Sequence, residues 1–519
     1  MRITATGHAG LFVETGAGSI LCDPWRTPAY FASWFPFPSN DDVDFAGMNP
    51  DYLYVSHLHR DHFDPDLLGS DIPKSATVLL PAFPTDELRE ALTRLGFHKF
   101  VQTESGVPVD LDGLRVMITS LVSPTDGPIG DSALSVDDGR ARLLNQNDAR
   151  PVDIDELKAF GDYDAHFLQF SGAIWWPIVY DLADATKQAI ARRKRENGME
   201  RARRFVDAIG ARHVFPSAGP PCFLDDGLFE HNDFDGSEDN IFPDQRVFLR
   251  YLEENGHDNG VLLIPGSVAT FEGGHVTVEE ALPEAGIERI FDAKREVIGE
   301  YRDRHRTQIA AMKESWPRYG GDLADGLTKR FEPLLALADN IGAGVGAPLL
   351  IEIRADGTED GGADEDVVVD FVTREVRRHR GEDCRYRFTI ERRLVEALLA
   401  TEEIDWVNSL FLSMRFKAAR KGAFNEYLYT FFKCLSPERL SYAEGWYDEK
   451  EHSHELVRIG DWMVQRRCPH LKADLSRFGE ICDGVLECSM HGWRFDLETG
   501  QCLTSESHHI VAEAAPADG

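Results

Sequence analysis

Two short Cys-His pairs near the C-terminus limit the local fold more than any other feature of this chain. Residues 468–496 read CPHLKADLSRFGEICDGVLECSMHGWRFD, so Cys468 and His470 form one pair and Cys488 and His491 form the other. Two thiolates can ligate one iron of a [2Fe–2S] cluster while two imidazoles ligate the second iron. Because the pairs must approach such a cluster from opposite sides, we expect two loops joined by a long spacer.

A structural zinc site is the alternative, because Cys-x-His with Cys-x-x-His can also hold zinc in a tetrahedron. The wider sequence favours the cluster. The segments CPH, CSMHGW and FDLETG resemble the Rieske domain family, in its oxygenase ferredoxin type. The resemblance implies that Cys468, His470, Cys488 and His491 are the cluster ligands.

A second group of ligand-type residues follows a predicted buried strand at residues 52–55. The loop SHLHRDHFD contains His57, His59, Asp61 and His62 within six residues. Three imidazoles and a carboxylate are costly to crowd together unless a metal ion binds them. His57 and His59 can bind one metal ion, and the offset Asp61 and His62 can bind a second. A polar loop with chance histidines is the alternative.

This loop carries the H-x-H-x-D-H signature, and residues 1–283 resemble the metallo-β-lactamase fold. The segment ILCDPW is similar to the lactonase-like branch of that superfamily. The resemblance implies a two-metal site at one edge of a β-sandwich, built from strand-end loops. It also implies that Asp148, which ends the segment LLNQND, is a bridging metal ligand rather than a helix cap or turn residue.

The chain departs from the usual hydrolase pattern at two ligand positions. The segment SPTDGPIGDSA lacks the expected His, and Asp126 is the best substitute, followed by Asp131. The segment FPSAGPP lacks the last ligand His, and His231 could serve, although a surface role fits it equally well. Such a site is richer in oxygen ligands than a zinc hydrolase site. Carboxylate and imidazole ligands with open positions suit iron as well as zinc.

The order of strand-like and helix-like segments predicts a multi-domain α+β chain. We expect an N-terminal metallo-β-lactamase αββα sandwich over 1–283 and a helical linker over 284–345. A small α+β module, for which a sterol-carrier-like fold is one candidate, is expected over 346–445. An all-β Rieske domain is expected over 446–519.

The composition excludes some functions and indicates a compartment. The net charge of −34 makes nucleic-acid binding unfavourable, because phosphate backbones attract positive charge. No run of 18 apolar residues predicts a membrane span, and the N-terminus lacks the layout of a signal peptide. The eight cysteines show no disulfide-framework spacing, so we expect a reducing, cytoplasmic location.

A hydrolase needs no electron carrier, whereas an iron site that activates O2 does. A Rieske domain with a lactonase-like domain resembles the CMP-N-acetylneuraminate hydroxylase family, although there the Rieske part comes first. The segment DWVNSLFLSMRFKAARKGAFNEYLYTFFK carries the resemblance in the middle module. The sequence therefore predicts a Rieske-dependent monooxygenase with a mono- or di-iron site and O2 as co-substrate. The substrate would be a small polar molecule, such as a sugar nucleotide, amino sugar, amine or natural-product intermediate, and it would be hydroxylated or N-oxygenated.

Two other functions remain open at this point. The first is a zinc- or manganese-dependent hydrolase, of lactonase or phosphodiesterase type, with a redox-sensing Rieske domain. The second is an electron-transfer or scaffold protein whose N-terminal domain has lost catalysis. A ferredoxin or flavin reductase is the expected electron donor. A homo-oligomer would be required if the electron had to cross between subunits.

Overall fold

Short strands with one buried and one less buried face build two sheets in the N-terminal unit of the structure. The computed structural model describes residues 1–124, 129–355, 363–448, 455–506 and 508–515. The N-terminal unit comprises residues 1–122, 126–173 and 188–309. Its strands, in chain order, are β1 Arg2–Gly7, β2 Gly10–Thr15, β3 Gly18–Cys22, β4 Tyr52–Tyr54, β5 Thr77–Leu80, β6 Phe100–Gln102, β7 Val109–Leu111, β8 Leu114–Leu121, β9 Asp131–Asp137, β10 Arg142–Asn147, β11 Ala165–Gln169, β12 His213–Ser217, β13 Val268–Glu272 and β14 His275–Glu279.

The two sheets pack face to face around one apolar core. One sheet has the order β14-β13-β1-β2-β3-β4-β5-β6, and the other has the order β12-β11-β10-β9-β8-β7. Val13 and Ile20 of the first sheet share a buried cluster with Val116, Leu134 and Phe167 of the second. Burial of such side chains is the main favourable contribution to folding.

Helices cover the outer faces of both sheets. The helices of this part of the chain are α1 Pro65–Ser70, α2 Glu87–Arg94, α3 Ile154–Phe160, α4 Asp184–Ile209, α5 Gln245–Glu254, α6 Glu284–Asp292 and α7 Lys294–Ser315. Leu67 of α1 and Leu92 of α2 pack with Leu53 and Val78 of the eight-stranded sheet. Phe248 of α5 stacks on Phe170, which follows β11 of the other sheet. The layers are those of the metallo-β-lactamase αββα sandwich, as the sequence predicts.

The second unit comprises residues 123–125, 174–187 and 310–519. Its larger part contains a sheet with both parallel and antiparallel strands. The strands of this sheet are β15 Pro348–Arg354, β16 Glu365–Asp370, β17 Glu375–Arg378, β18 Tyr386–Glu391 and β19 Phe416–Arg420, in the order β17-β16-β15-β18-β19. Its helices are α8 Leu323–Leu335, α9 Asp339–Val345, α10 Arg392–Ala400, α11 Glu426–Lys433 and α12 Pro437–Asp448. Phe331 of α8 meets Phe431 and Phe432 of α11 edge to face, in the aromatic core of an α+β module.

A segment from the middle of the chain belongs to this second unit. Residues 174–187 lie between β11 and α4 in sequence, and Tyr180 pairs with Ala418 of the edge strand β19 in parallel. Ala418 donates its N–H to the carbonyl of Val179, and Asp181 donates its N–H to the carbonyl of Ala418. The segment therefore extends the edge of a sheet that is formed about 230 residues later in the chain.

The C-terminal part of the second unit is built from two small antiparallel sheets. The strands are β20 Leu456–Ile459, β21 Trp462–Gln465, β22 Gly479–Cys482, β23 Val485–Cys488, β24 Trp493–Asp496 and β25 Ala512–Ala514. One sheet has the order β20-β21-β25 and the other β22-β23-β24, with the one-turn helix α13 Leu475–Phe478 before β22.

None of the described helices combines the length and the apolar character that a membrane span requires.

Candidate metal centre and cluster site

The predicted metal loop lies where strand ends of both N-terminal sheets meet. The loop follows β4 of the eight-stranded sheet, and Asp148 directly follows β10 of the six-stranded sheet. Two buried residues join the sheets here, because Tyr54 O–H lies 3.0 Å from the Ser132 carbonyl and Ser132 Oγ donates to the Ser56 carbonyl at 2.7 Å. The side chains that follow these strands are thereby held close together.

The histidine loop is held at both ends. At its start, Asp23 Oδ1 accepts the Ser56 N–H at 2.7 Å. At its end, Asp64 caps α1 by accepting from the N–H groups of Asp66 and Leu67. The second oxygen of Asp64 accepts two further N–H groups, from residues 26 and 27. The loop therefore has its shape before any metal ion binds.

The first group of ligand atoms contains His57, His62 and Asp148. Their ligand atoms lie within 4.8 Å of one another. Asp148 Oδ2 is 3.8 Å from His57 Nε2 and 3.6 Å from His62 Nε2, so the carboxylate lies between the two imidazoles. His59 Nδ1 lies 2.7 Å from His57 Nε2, which directs this third imidazole toward the same place.

The second group contains His8, Asp61 and His62, also within 4.8 Å of one another. His8 Nε2 is 3.0 Å from Asp61 Oδ2, and His62 Nε2 is 3.8 Å from the same oxygen. His62 belongs to both groups. The described residues therefore form two adjoining sites of the kind that a two-metal centre needs.

Polar side chains behind the ligands fix their orientation. Asp23 Oδ2 accepts from His62 Nδ1 at 3.0 Å, and Asp131 Oδ1 lies 3.2 Å from His57 Nδ1. Ser56 Oγ lies 2.9 Å from His57 Nδ1 as well. A carboxylate that accepts from the far nitrogen of an imidazole sets its tautomer and leaves the near nitrogen free to bind metal. Asp23 and Asp131 are placed for this role.

A turn of residues with left-handed backbone conformation places the Tyr30 hydroxyl against the metal centre. Tyr30, Phe31 and Ala32 have φ values of 51°, 55° and 54°, which non-glycine residues rarely adopt in succession. The Tyr30 hydroxyl donates to Asp61 Oδ1, so that Asp61 Oδ2 is the oxygen that faces His8 and His62.

The charges of the metal-free centre are strongly coupled. Burial lowers the pKa of His57 well below its ordinary value, and the neighbouring imidazoles His62 and His59 lower it further. Burial also opposes a charged His62, yet Asp148 and Asp61 raise its pKa to about 10. Burial opposes a charged Asp61, but His62 and His8 hold its pKa well below its usual range. Neutral imidazoles and ionised carboxylates are the states that bind metal ions.

The donor set fits a divalent metal ion. His62 Nε2 and Asp148 Oδ1 are buried, and neither has a hydrogen-bond partner among the described residues. Buried polar atoms are normally paired, so these atoms are arranged for a ligand that is not part of the chain. Two carboxylates and several imidazoles suit iron, manganese or zinc.

The sequence proposed three further candidate ligands, and neither of the two that lie among the described residues belongs to these groups. His231 lies in a short 3₁₀ turn, Phe229–His231, where its ring meets Phe223 at 5.7 Å and neither ligand group of the described residues includes it. Asp126 lies outside the described residues. Asp131, considered as a substitute ligand, contacts the far side of His57 instead.

Sequence reasoning missed His8, Tyr30 and the role of Asp23. His8 lies between two glycines in the segment TGHAG, and Asp23 lies in the segment ILCDPW. A histidine held in a glycine-flanked hairpin turn was the available signal for His8.

The four predicted cluster ligands converge in two loops of the C-terminal sheets. Cys468 and His470 follow β21, and Cys488 and His491 lie at the turn between β23 and β24. The thiols of Cys468 and Cys488 are buried side by side, and the pKa of Cys468 is held well above its usual range, first by its contact with Cys488 and then by burial. The rings of His470 and His491 lie 5.1 Å apart and nearly perpendicular. The loops present two sulfurs and two imidazoles together, as a [2Fe–2S] cluster requires.

Backbone hydrogen bonds close each of these loops tightly. Lys472 N–H donates to the Cys468 carbonyl at 2.9 Å, and Gly492 N–H donates to the Cys488 carbonyl at 2.7 Å. Ser489 N–H reaches back to the Phe478 carbonyl at 2.7 Å, which joins the second loop to the end of α13. Both loops are therefore shaped by the fold.

A series of side-chain contacts connects the cluster ligand His470 to the α+β module. Trp493 stacks on His470 with ring centroids 3.9 Å apart and meets His508 at 5.0 Å. His508 Nε2 lies 2.8 Å from Oε1 of Glu426, a residue of α11 that is only 1% exposed. Through Trp493 and His508, His470 is thus linked to Glu426 of the α+β module inside the second unit.

Comparison with protein families agrees with these two parts of the second unit. Residues 323–449 match the Rv3818-like, SCP2-like domain, and residues 451–514 match the Rieske [2Fe-2S] domain. The C-terminal part is therefore a Rieske domain with a [2Fe–2S] cluster. The SCP2-like, or sterol-carrier-like, match begins inside the stretch that the sequence indicates as a helical linker.

Several solved structures resemble the N-terminal half. Igni18, a metallo hydrolase from Ignicoccus hospitalis, is 16% identical with a TM-score of 0.35, and the match covers 54% of this chain and 99% of that chain. CmlA, a diiron β-hydroxylase from Streptomyces venezuelae, is 19% identical with a TM-score of 0.36, and the match covers 52% of this chain and 54% of that chain.

Full-length relatives are found in mycobacteria. A Rieske 2Fe-2S iron-sulfur protein of Mycolicibacterium smegmatis is 48% identical over 519 residues, which cover 98% of this chain and 99% of the relative. The Rieske 2Fe-2S iron-sulfur protein Rv3818 of Mycobacterium tuberculosis is 48% identical over 521 residues, with the same coverage. The chain belongs to the family of Rieske 2Fe-2S iron-sulfur proteins that these mycobacterial relatives represent.

Proposed function

We propose that this protein is an O2-dependent monooxygenase in which the Rieske domain supplies electrons to iron held in the N-terminal metal centre. The observation that carries the proposal is the presence, in one chain, of a full Rieske ligand set and of two adjoining metal-ligand groups that share His62. A hydrolytic centre would have no use for a one-electron carrier, whereas O2 activation at iron requires one.

The chemistry of the ligands is consistent with iron. Two carboxylates, Asp61 and Asp148, lie among the imidazoles, and the chain has no histidine in SPTDGPIGDSA or FPSAGPP. Iron bound by such a set with open positions would supply O2 activation, and the cluster would supply single electrons. The role of this chain's residues is to hold, orient and shield these groups.

Burial of the ligands defines the side from which a substrate approaches. The side chains of His57 and His62 are fully buried, whereas that of Asp148 is 12% exposed and His59 is partly exposed. A substrate therefore approaches from the side of His59 and Asp148. Asp23 and Asp131 lie behind the imidazoles and keep them oriented, which excludes water from that side.

The substrate class and the electron donor that we propose rest on the resemblance seen in the sequence. A Rieske domain with a lactonase-like domain resembles the CMP-N-acetylneuraminate hydroxylase family, and this resemblance supports a small polar substrate, such as a sugar nucleotide, amino sugar, amine or natural-product intermediate. A ferredoxin or a flavin reductase is the electron donor that we propose.

Metal analysis of anaerobically purified full-length protein is the first test. The proposal expects iron in excess of the two atoms of the cluster, together with a Rieske EPR signal after reduction with dithionite. Two irons per chain with stoichiometric zinc or manganese would overturn it and would favour the hydrolase. Esters, lactones and phosphodiesters would then be the substrates to assay.

Substitution of one cluster ligand tests the electron path. His491→Ala should abolish O2-coupled turnover with a ferredoxin, its reductase and NADH, while the N-terminal metal stays bound. His509→Ala is the matched control, because His509 is an exposed histidine of the same domain. Normal turnover in the His491 variant would refute the proposal.

A further inference from the structure

The second ligand group of the metal centre lacks its expected histidine at the end of β12. The chain there reads FPSAGPP, so the backbone leaves β12 through Ser217 and Ala218 without an imidazole. Asp61 and His62 would then offer too few ligands for a tightly bound second metal ion. A residue from elsewhere in the fold has to complete the group.

We propose that His8 is a direct ligand of the second metal ion and replaces the missing histidine. His8 Nε2 lies 3.0 Å from Asp61 Oδ2, and it forms one group with Asp61 and His62. The side chain of His8 is only 3% exposed. The inference extends the metal centre on which the proposed function depends, but it requires no reaction with O2.

The backbone brings His8 to the place of the missing ligand. Ala218, just past the end of β12, donates its N–H to the His8 carbonyl at 3.0 Å. His8 therefore lies directly beside the segment that the resemblance identifies as the last ligand position. The β1–β2 turn belongs to one sheet and the β12 end to the other, and an imidazole from either place could approach the same ion.

The turn between β1 and β2 fixes the direction of this side chain. His8 has a φ of 54°, a left-handed conformation in which histidine is among the better tolerated residues. A Cβ at Gly7 would lie 2.9 Å from Asn40 Nδ2, and one at Gly10 would lie 2.2 Å from Thr6 Oγ1. A side chain at either glycine would clash with its neighbours, so the close packing of this turn requires both glycines and constrains its backbone conformation.

The far nitrogen of His8 faces a small polar cavity. The cavity is lined in part by His8, Ser217 and Gln245. The atoms His8 Nδ1, Ser217 Oγ and Gln245 Oε1 are buried, and none has a hydrogen-bond partner among the described residues. A ligating imidazole must place its second N–H on an acceptor, and a water molecule in this cavity could bridge His8 Nδ1 to these oxygens.

A positioning role is the competing explanation, because His8 Nε2–H could simply donate to Asp61. The two roles make opposite demands on a substituted side chain. Gln at position 8 reaches about as far as Nε2 and can still donate to Asp61, but it is a poor metal ligand. Glu has the same length and can bind the metal ion, but it places a second carboxylate beside Asp61. The left-handed backbone strains both variants equally.

Binding of Mn²⁺ to the full-length chain tests the inference. The protein would be stripped with dipicolinate and kept oxidised, and free Mn²⁺ would be followed by its EPR signal during titration. Wild type should bind two Mn²⁺ ions. His8→Gln should lower the affinity of the second site for Mn²⁺ by at least about 100-fold. This is more than the loss that follows when a residue hydrogen-bonded to a metal ligand is removed. His8→Glu should retain the second site. His231→Ala should bind two ions like wild type.

Three results would overturn the inference. These are two tight sites in His8→Gln whatever the Glu variant does, loss of the second site in both His8→Gln and His8→Glu, and a single Mn²⁺ site in wild type. Thermal melting of the metal-free variants would show that each folds. A wild type that binds two ions but holds zinc after purification would refute the iron-dependent function and leave the ligand assignment of His8 intact.

Discussion

The cluster site and the metal centre bind metal by opposite strategies. The cluster ligands lie between residues 468 and 491, in two loops of one small domain. The metal centre collects His8, the loop 57–62 and Asp148 from the ends of three different strands in two sheets. The cluster site is therefore a local property of the sequence, whereas the metal centre exists only once both sheets have packed. The predictions below separate the two sites, from the largest expected effect to the smallest.

Loss of His62 should empty the metal centre and leave the cluster intact. His62 is the residue common to both ligand groups, so His62→Ala should lose both metal ions. Metal content of the anaerobically purified variant, with EPR of its reduced form, checks this. His231→Ala serves as the control. A variant that kept one tightly bound ion would show that the two groups do not share His62.

The reverse separation should follow from Cys488→Ser. Cys488 is fully buried beside Cys468, and serine is a poor ligand for iron. The Rieske EPR signal and the cluster's visible absorption should disappear completely, while the N-terminal metal content stays at the wild-type level. Cys384→Ser, which alters a free cysteine of the α+β module, is the matched control. Loss of N-terminal metal in the Cys488 variant would contradict the independence of the sites.

A residue behind the ligands should have an intermediate effect. Asp23 is fully buried and accepts from both His62 and Ser56. Asp23→Asn should therefore weaken metal binding by about 10- to 100-fold without abolishing it, because the ligands remain but lose their orientation. Titration with Mn²⁺ measures the change, and Asp41→Asn, at a partly exposed carboxylate paired with His305, is the control. Unchanged affinity would remove Asp23 from the centre.

Lowering the pH should destabilise the N-terminal unit through one buried histidine that is not part of either site. Burial lowers the pKa of His166, on β11, to about 3. The unfolded chain binds a proton at this residue below pH 6.5 while the folded chain does not, so stability falls as the pH falls from 6.5 toward 3. This one residue accounts for about 1.4 kcal/mol per pH unit in that window.

Denaturant unfolding of wild type and His166→Gln at pH 6.5 and pH 5 measures this contribution. The variant should lose less stability on acidification, since glutamine has no proton to bind. An equal loss in both proteins would mean that the pKa of His166 is the same in the folded and the unfolded chain, which would contradict its lowering by burial.

The difference in locality explains how much of each site could be predicted from sequence. All four Rieske ligands could be predicted, because they lie within one segment whose resemblance to the Rieske family implies them. His57, His59, Asp61 and His62 were likewise recognisable as one loop. Asp148 required a resemblance, because its distance in sequence from that loop carries no spatial information.

The remaining features depended on tertiary packing that no spacing reveals. His8 follows β1 of one sheet, and its carbonyl accepts the Ala218 N–H just past the end of β12 of the other sheet. Asp131 was a candidate ligand, but it contacts the far nitrogen of His57, since it starts a strand that runs behind that ring.

The excursion of residues 174–187 into the second unit has a consequence for how this architecture arose. A fragment ending at residue 309 would retain Trp175, Trp176 and Tyr180 without the edge strand that Tyr180 pairs with. The two halves are therefore interlaced along the gene rather than joined end to end. A single recombination event at residue 309 would therefore separate Tyr180 from its partner strand β19.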